Sequence, residues 1–212
     1  MSDYLSKLPV EVFIYQITFL PFKEVQTICT SNTKLHSYCT DERYKNYWRN
    51  LIENTFSSVY GYEDKLKEVR NKLGLDQNAY NYLVYVHLID VLDPLTQLMI
   101  YYKQKDMESF NSNKYNDRLR YWTMFLLRDR DGMLKYSKSE RYHQDYMDLL
   151  DNKPVDPIYL DVMIAGVSAQ GNVPGTKYFL DLGASITPTY MSTIAITGGL
   201  NTIRYLLSLI HI

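Results

Sequence analysis

Apolar residues recur with helical spacing along most of this 212-residue chain. Val12, Ile17 and Leu20, with Phe13 and Phe19 beside them, form an apolar face with few charges. Trp48, Leu51, Ile52 and Phe56 repeat the i, i+3, i+4 rule. Strand signals are weak: Asp131-Gly132 comes nearest to a hairpin turn, but its flanks do not alternate with period two. The spacing predicts an all-α chain. Leu8-Pro9-Val10-Glu11-Val12 opens the first helix, because proline loses nothing in a first turn and Glu11 favours the positive end of the helix dipole. That helix is expected to run to about residue 20 and stop at Pro21. Others are expected over 22–32, from about 35, over 41–56, and then over 78–92, 95–102, 118–128 and 139–150.

Composition sharpens this picture. Lys and Arg number 23 against 24 Asp and Glu, a formal net charge of -1. A nucleic-acid binder driven by bulk charge is thereby disfavoured, since counterion release needs a basic surface. With 46% apolar residues the chain can offset the entropy of ordering. Charge is unevenly spread: residues 154–212 hold only Asp156, Asp161, Lys177, Asp181 and Arg204, yet six of the nine glycines. Asp151-Asn152-Lys153-Pro154 is also turn chemistry. A softer boundary lies around Gly61. Three segments are expected: 1–57, 58–153 and 154–212.

The longest uncharged run, 182–203, contains Pro188 and three glycines and makes a poor membrane span. No Asn-x-Ser/Thr triplet occurs, and MSDYLSKLP lacks the apolar stretch of a signal peptide. Cys29 and Cys39 are too few for a multi-bridge framework and are expected as packing residues rather than nucleophiles. The expectation is a cytoplasmic protein without membrane or nucleic-acid contacts. Tyrosine stands out, with 21 against 7 Phe and 2 Trp.

Catalytic patterns are missing from the sequence. The stretch 171–177 approaches a P-loop, but it is one residue short and its Thr precedes its Lys. His36, His87, His143 and His211 lie far apart, without a second ligand at metal spacing. Arg118, Arg120, Arg128 and Arg130 form a basic cluster with Tyr121 and Trp122, but Asp117, Asp129 and Asp131 interleave with it, as on a solvated helix face. No catalytic, cofactor-binding or metal-binding residue is expected, and the chain reads as a non-enzyme.

Leu8-Pro9-Val10-Glu11-Val12, then Leu20, Glu24-Val25, Ile28, Leu35 and Trp48 follow one order and spacing, which resembles the F-box family over about 45 residues. Gln16 and Ser31 stand where that family places aliphatic residues. The resemblance implies a helical hook that docks a Skp-type adaptor of a cullin ubiquitin ligase. Leu8, Pro9, Val12, Phe13, Ile14, Ile17, Leu20 and Val25 would be the adaptor-binding residues. LPVEVFIYQITFLPF holds more apolar positions than one helix face needs. The surplus can fill a partner's groove or be covered by residues 58–110 of the same chain; both uses are open.

Near the end of the chain, GVSAQGNVPGTKYFLDLGASI from Gly166 can be laid over AITGGLNTIRYLLSL from Ala195. Gly171 falls on Gly199, and Tyr178-Phe179-Leu180 falls on Tyr205-Leu206-Leu207. Each copy is a small-residue helix, a glycine turn and a helix ending in bulky apolar residues, the logic of stacked hairpins. Leu180-Asp181-Leu182-Gly183-Ala184 resembles the end of an ankyrin repeat, with Gly171 and Gly199 as its inter-helix glycines and Thr187-Pro188 as a remnant of its start. The whole is similar to F-box/ankyrin proteins of large DNA viruses. Residues 58–153 are then a helical linker or eroded repeats. The resemblance implies a substrate adaptor in a host-cell cytoplasm that binds a target protein of unknown identity; the alternative is a stand-alone ankyrin-type scaffold. The apolar YLLSLIHI end is expected to be covered by a partner or by a second copy of the chain, a self-association, unless the reading frame is short.

Overall fold

A computed structural model describes residues 2–197 and 199–210. The chain is all-helical, and no strand occurs among the described residues. In order the helices are α1 (Ser2–Leu5), α2 (Val10–Ile17), α3 (Phe22–Thr30), α4 (Thr33–Thr40), α5 (Lys45–Phe56), α6 (Tyr62–Lys72), α7 (Tyr82–Asp90), α8 (Pro94–Lys103), α9 (Met107–Phe110), α10 (Asp117–Leu126), α11 (Arg130–Lys135), α12 (His143–Leu150), α13 (Pro157–Ala169), α14 (Val173–Asp181), α15 (Pro188–Ile196) and α16 (Leu200–Ile210). None of them is long and apolar enough to cross a membrane. Two compact units result, one from residues 1–92 with 100–111 and the other from 93–99 with 112–212. Packing and composition thus divide the chain differently: 58–92 join 1–57, and 112–153 join 154–212.

In the first unit α2 ends earlier than its apolar pattern suggests. Phe19 N donates to Gln16 O and Leu20 N to Ile17 O, so the chain tightens into a turn before Pro21. Asn32 starts α4 by accepting a 2.8 Å bond from Leu35 N. α7 is the central helix, packed by α3, α4, α5 and α6. It buries Tyr82, Val84, Tyr85, Val86, Leu88 and Ile89, as a helix apolar on nearly all sides must. The Tyr85 ring meets Phe22, Trp48 and Phe56 at 5.4, 6.1 and 5.7 Å between centroids.

Cys29 and Cys39 are fully buried, as packing residues are, but they are also joined to each other. The sequence reading of the two as packing residues did not include this pairing. The short turn at Ser31-Asn32 folds α4 back on α3 and brings the two Cα atoms to 5.9 Å, within disulfide reach.

In the second unit α13 pairs with α14 and α15 with α16; α13 packs on α15 and α14 on α16, so the two hairpins stack. Small residues set the separation. A Cβ on Gly166 would come within 2.8 Å of the Trp122 ring. Aromatic rings fill the layer behind: Phe125 stacks on Phe179 at 5.8 Å and meets Tyr146 edge-on at 4.7 Å.

Candidate protein-binding surfaces

α2 has two faces of different character. Phe13, Ile14 and Ile17 are fully buried, and so is Val25 on α3. These four of the expected adaptor-binding residues are therefore core of the first unit and not surface anchors. Phe13 rests on the ring of Tyr38 of α4 at 5.7 Å. Leu8 and Leu20 are half-buried and Pro9 is exposed. The opposite face carries Val12 at 41%, Tyr15 at 57% and, just past the helix, Phe19 at 71% exposure. Tyr15 and Phe19 meet edge-to-face at 4.9 Å, so the exposed aromatics hold one another in place. Tyr4 on α1 is also exposed. The apolar spacing placed Phe19 beside the face of Val12, Ile17 and Leu20 but did not single out Tyr15, because apolar positions surround α2 on more than one side.

A groove of about 580 Å³ opens in the same unit between α3 and the start of α9. Leu5, Pro21, Ile28 and Met107 give it apolar walls. At its edge Asp106 accepts a bond of 3.2 Å from Lys23 N, and the Lys23 ammonium pairs with Glu108. Positive and negative groups there already answer one another.

In the second unit the residues of the repeat signature lie on and between α13, α14, α15 and α16. Gly171 takes φ +75° and Gly183 φ +92°, left-handed conformations that end α13 and α14. Gly199 is needed for another reason: a Cβ there would lie 2.5 Å from the Ser168 carbonyl oxygen of α13. Leu180 is half-buried, Ala184 and Leu206 are buried, and Leu207 is exposed. Ile196, Leu200 and Leu209 are exposed as well. The last two residues of YLLSLIHI lie outside the described residues.

The hairpin turn also recurs upstream. Lys105-Asp106, Arg128-Asp129 and Gly171-Asn172 each place a left-handed residue, at φ 58°, 58° and 75°, before an Asp or Asn. That side chain caps the next helix, accepting from Ser109 N, Gly132 N and Gly175 N at 3.1, 3.0 and 2.8 Å. Asp93-Pro94, Asp156-Pro157 and Thr187-Pro188 open three of the helices with a capping oxygen followed by proline. These caps are the signal that apolar spacing alone did not use. They are the general chemistry of a short helical hairpin and name no repeat family.

No group of three His, Cys, Asp or Glu side chains that could hold a metal ion occurs among the described residues. The basic cluster is largely neutralised: Arg118 reaches buried Glu140 at 3.0 Å, Arg120 reaches Asp117 at 2.8 Å, and Arg130 pairs with Asp151. Glu140 also accepts from Trp122 Nε1 at 2.9 Å, so this carboxylate ties the cluster into the core. Comparison of the chain with protein-family models, curated proteins and solved structures finds no match.

Proposed function

We propose that the chain is a non-enzymatic protein-binding adaptor. Its F-box-like segment, residues 1–57, docks a Skp-type adaptor of a cullin ubiquitin ligase, and its ankyrin-like hairpins hold a target protein, in a host-cell cytoplasm if the chain is viral. The observation that carries the reading is the exposed face of α2 and its flanks, where Val12, Tyr15 and Phe19 stand on a helix whose other face is core. Exposed aromatics backed by a rigid helix are the usual anchors of protein interfaces. The order Leu8-Pro9-x-Glu11, Leu20 and Glu24-Val25 adds the likeness to an F-box. With Phe13, Ile14, Ile17 and Val25 in the core, docking falls to Leu8, Pro9, Val12 and Leu20 with Tyr15 and Phe19. The mechanism is proximity: two binding surfaces on one chain raise the effective concentration of target near a ligase.

The same burial favours a second reading, a stand-alone ankyrin-type scaffold in which the first helices serve only as a cap. The exposed Ile196, Leu200, Leu207 and Leu209 support self-association in either case. Capture by a purified Skp-type adaptor separates the two. The wild-type chain is expected to bind, and Val12→Asp or Phe19→Asp to weaken binding on the order of tenfold or more with an unchanged circular dichroism spectrum. Undiminished capture by both variants refutes the docking surface, and no capture of the wild type leaves the scaffold reading.

A further inference from the structure

Arg128 is the one member of the 118–130 arginine group without a carboxylate partner among the described residues. Two neighbouring carboxylates are already engaged, while Asp131 is exposed. Asp129 turns away to cap α11 at Gly132 N, and Asp151 is shared by Arg130 and Lys153. Arg128 is exposed, but its backbone is fixed in a left-handed conformation, φ 58°, at the end of α10. It stands at a cavity of about 260 Å³ in the second unit, walled by Met99, Phe125, Leu126, Leu150, Pro174 and Tyr178.

The polar inventory of this cavity is short. Asn172 lines it, but its amide is spent: Nδ2 donates to Asp93 Oδ1 at 3.1 Å and to Thr96 Oγ1 at 3.2 Å, and Oδ1 accepts from Gly175 N at 2.8 Å. The Tyr178 hydroxyl has no hydrogen-bond partner among the described residues. Arg128 and Tyr178 line the same cavity. The free polar groups are thus a guanidinium and a phenol, both able to donate, at the edge of an apolar space. The start of α14 adds no free donor, since Pro174 has no N–H and Gly175 N is held by Asn172, and contributes only the partial positive charge of a helix N-terminus. The negative end of α10 opposes it, as a partial charge against the full charge of Arg128.

We propose that this cavity binds a small apolar carboxylate. An aromatic or branched aliphatic group about the size of one side chain fills the apolar space. The carboxylate pairs with the Arg128 guanidinium, which suits a planar anion, and accepts a second bond from Tyr178. A free acid and the C-terminal residue of a peptide share this chemistry.

Calorimetric titration of the full chain tests it with 3-phenylpropanoate against 3-phenylpropanamide, and with a short peptide ending in Phe against its C-terminal amide. In at least one pair the charged form should bind on the order of tenfold tighter than the amide, and the pair with the larger gap identifies the source. Arg128→Gln, an exposed side chain with no packing role, should abolish the gap, and Tyr178→Phe should reduce it. Equal binding of acid and amide in the wild-type chain in both pairs, no binding at all, or a gap that persists in Arg128→Gln overturns the proposal.

Discussion

Gly199→Ala isolates the close approach on which the stacked hairpins depend. The added Cβ would meet the Ser168 carbonyl oxygen at 2.5 Å, Ile194 Cγ2 at 2.7 Å and the Ile194 carbonyl oxygen at 3.2 Å. The Ile194 methyl can rotate. The Ser168 oxygen is backbone in the last turn of α13 and cannot. Reaching an ordinary contact needs a shift of about 1 Å, and so α15–α16 must move away from α13. Overpacking of this kind costs about 1–3 kcal/mol. At a urea slope of about 2 kcal/mol/M, the midpoint should fall by about 1 M. Far-ultraviolet circular dichroism would follow the transition, and amides of α13 and α15 should exchange faster. Gly183 is the control, because nothing lies within 4 Å of its Cβ position but its φ is +92°. Its cost is conformational, about 1–2 kcal/mol for Ala, and Asn, which tolerates left-handed geometry, should recover part of it. Asn at position 199 should recover nothing, since any Cβ collides. An unchanged midpoint and unchanged exchange in Gly199→Ala would refute the close-approach argument, as would rescue by Gly199→Asn.

Two other predictions concern the first unit. Unfolded without reductant, the chain should take up no thiol reagent; removing the Cys29–Cys39 bond, which spans ten residues, should cost about 3 kcal/mol of stability by loop entropy, and reagent uptake before reduction counts against the pairing. Burial pushes the Tyr85 phenol up to about 12. The unfolded chain therefore loses that proton first, so stability is whole below about pH 10 and declines as pH rises toward 12, by up to about 3 kcal/mol for this group; an alkaline decline of the same depth in Tyr85→Phe would show that Tyr85 has no part in it.

Regular elements were legible where apolar spacing alone decides. Trp48, Ile52 and Phe56 mark the buried face of α5 as their spacing implies. α6 was not legible that way, because YEDKLKEVRNK buries only Tyr62, Leu66, Val69 and Arg70. Its readable signs were electrostatic: Glu63 and Asp64 at the start, Arg70 and Lys72 at the end. α9 and α11 have four and six residues, too few for a period, and exist because Asp106 and Asp129 cap them. On α2 the periodicity gave the helix but not its inner face. Apolar residues lie on several sides, and contact with α4, through Phe13 and Tyr38, chooses which become core. The cysteine pair was hidden for a similar reason: a separation of ten residues acquires meaning only once the α3–α4 turn is made.

The tyrosine excess is explained by the same tertiary choices. Tyr44 donates to Glu11 of α2 at 3.2 Å. Tyr82 of α7 meets His36 of α4 at 3.2 Å. Tyr85 accepts from Gln104 at 2.8 Å, Tyr115 donates to Gln97 of α8, and Tyr121 of α10 meets His143 of α12 at 2.8 Å. In each case a buried ring fills space between elements, and its hydroxyl ends on a polar group of another segment. Phenylalanine would fill the space and leave that partner unpaired, which costs more than the bond itself gains. Where so many short helices must be fixed by few residues each, a side chain that packs and bonds at once outperforms one that only packs. These five of the 21 tyrosines therefore belong to the interior. Tyr4 and Tyr15 are different: both are exposed, and neither hydroxyl has a partner among the described residues. They are the tyrosines whose placement a partner at the α2 surface would explain.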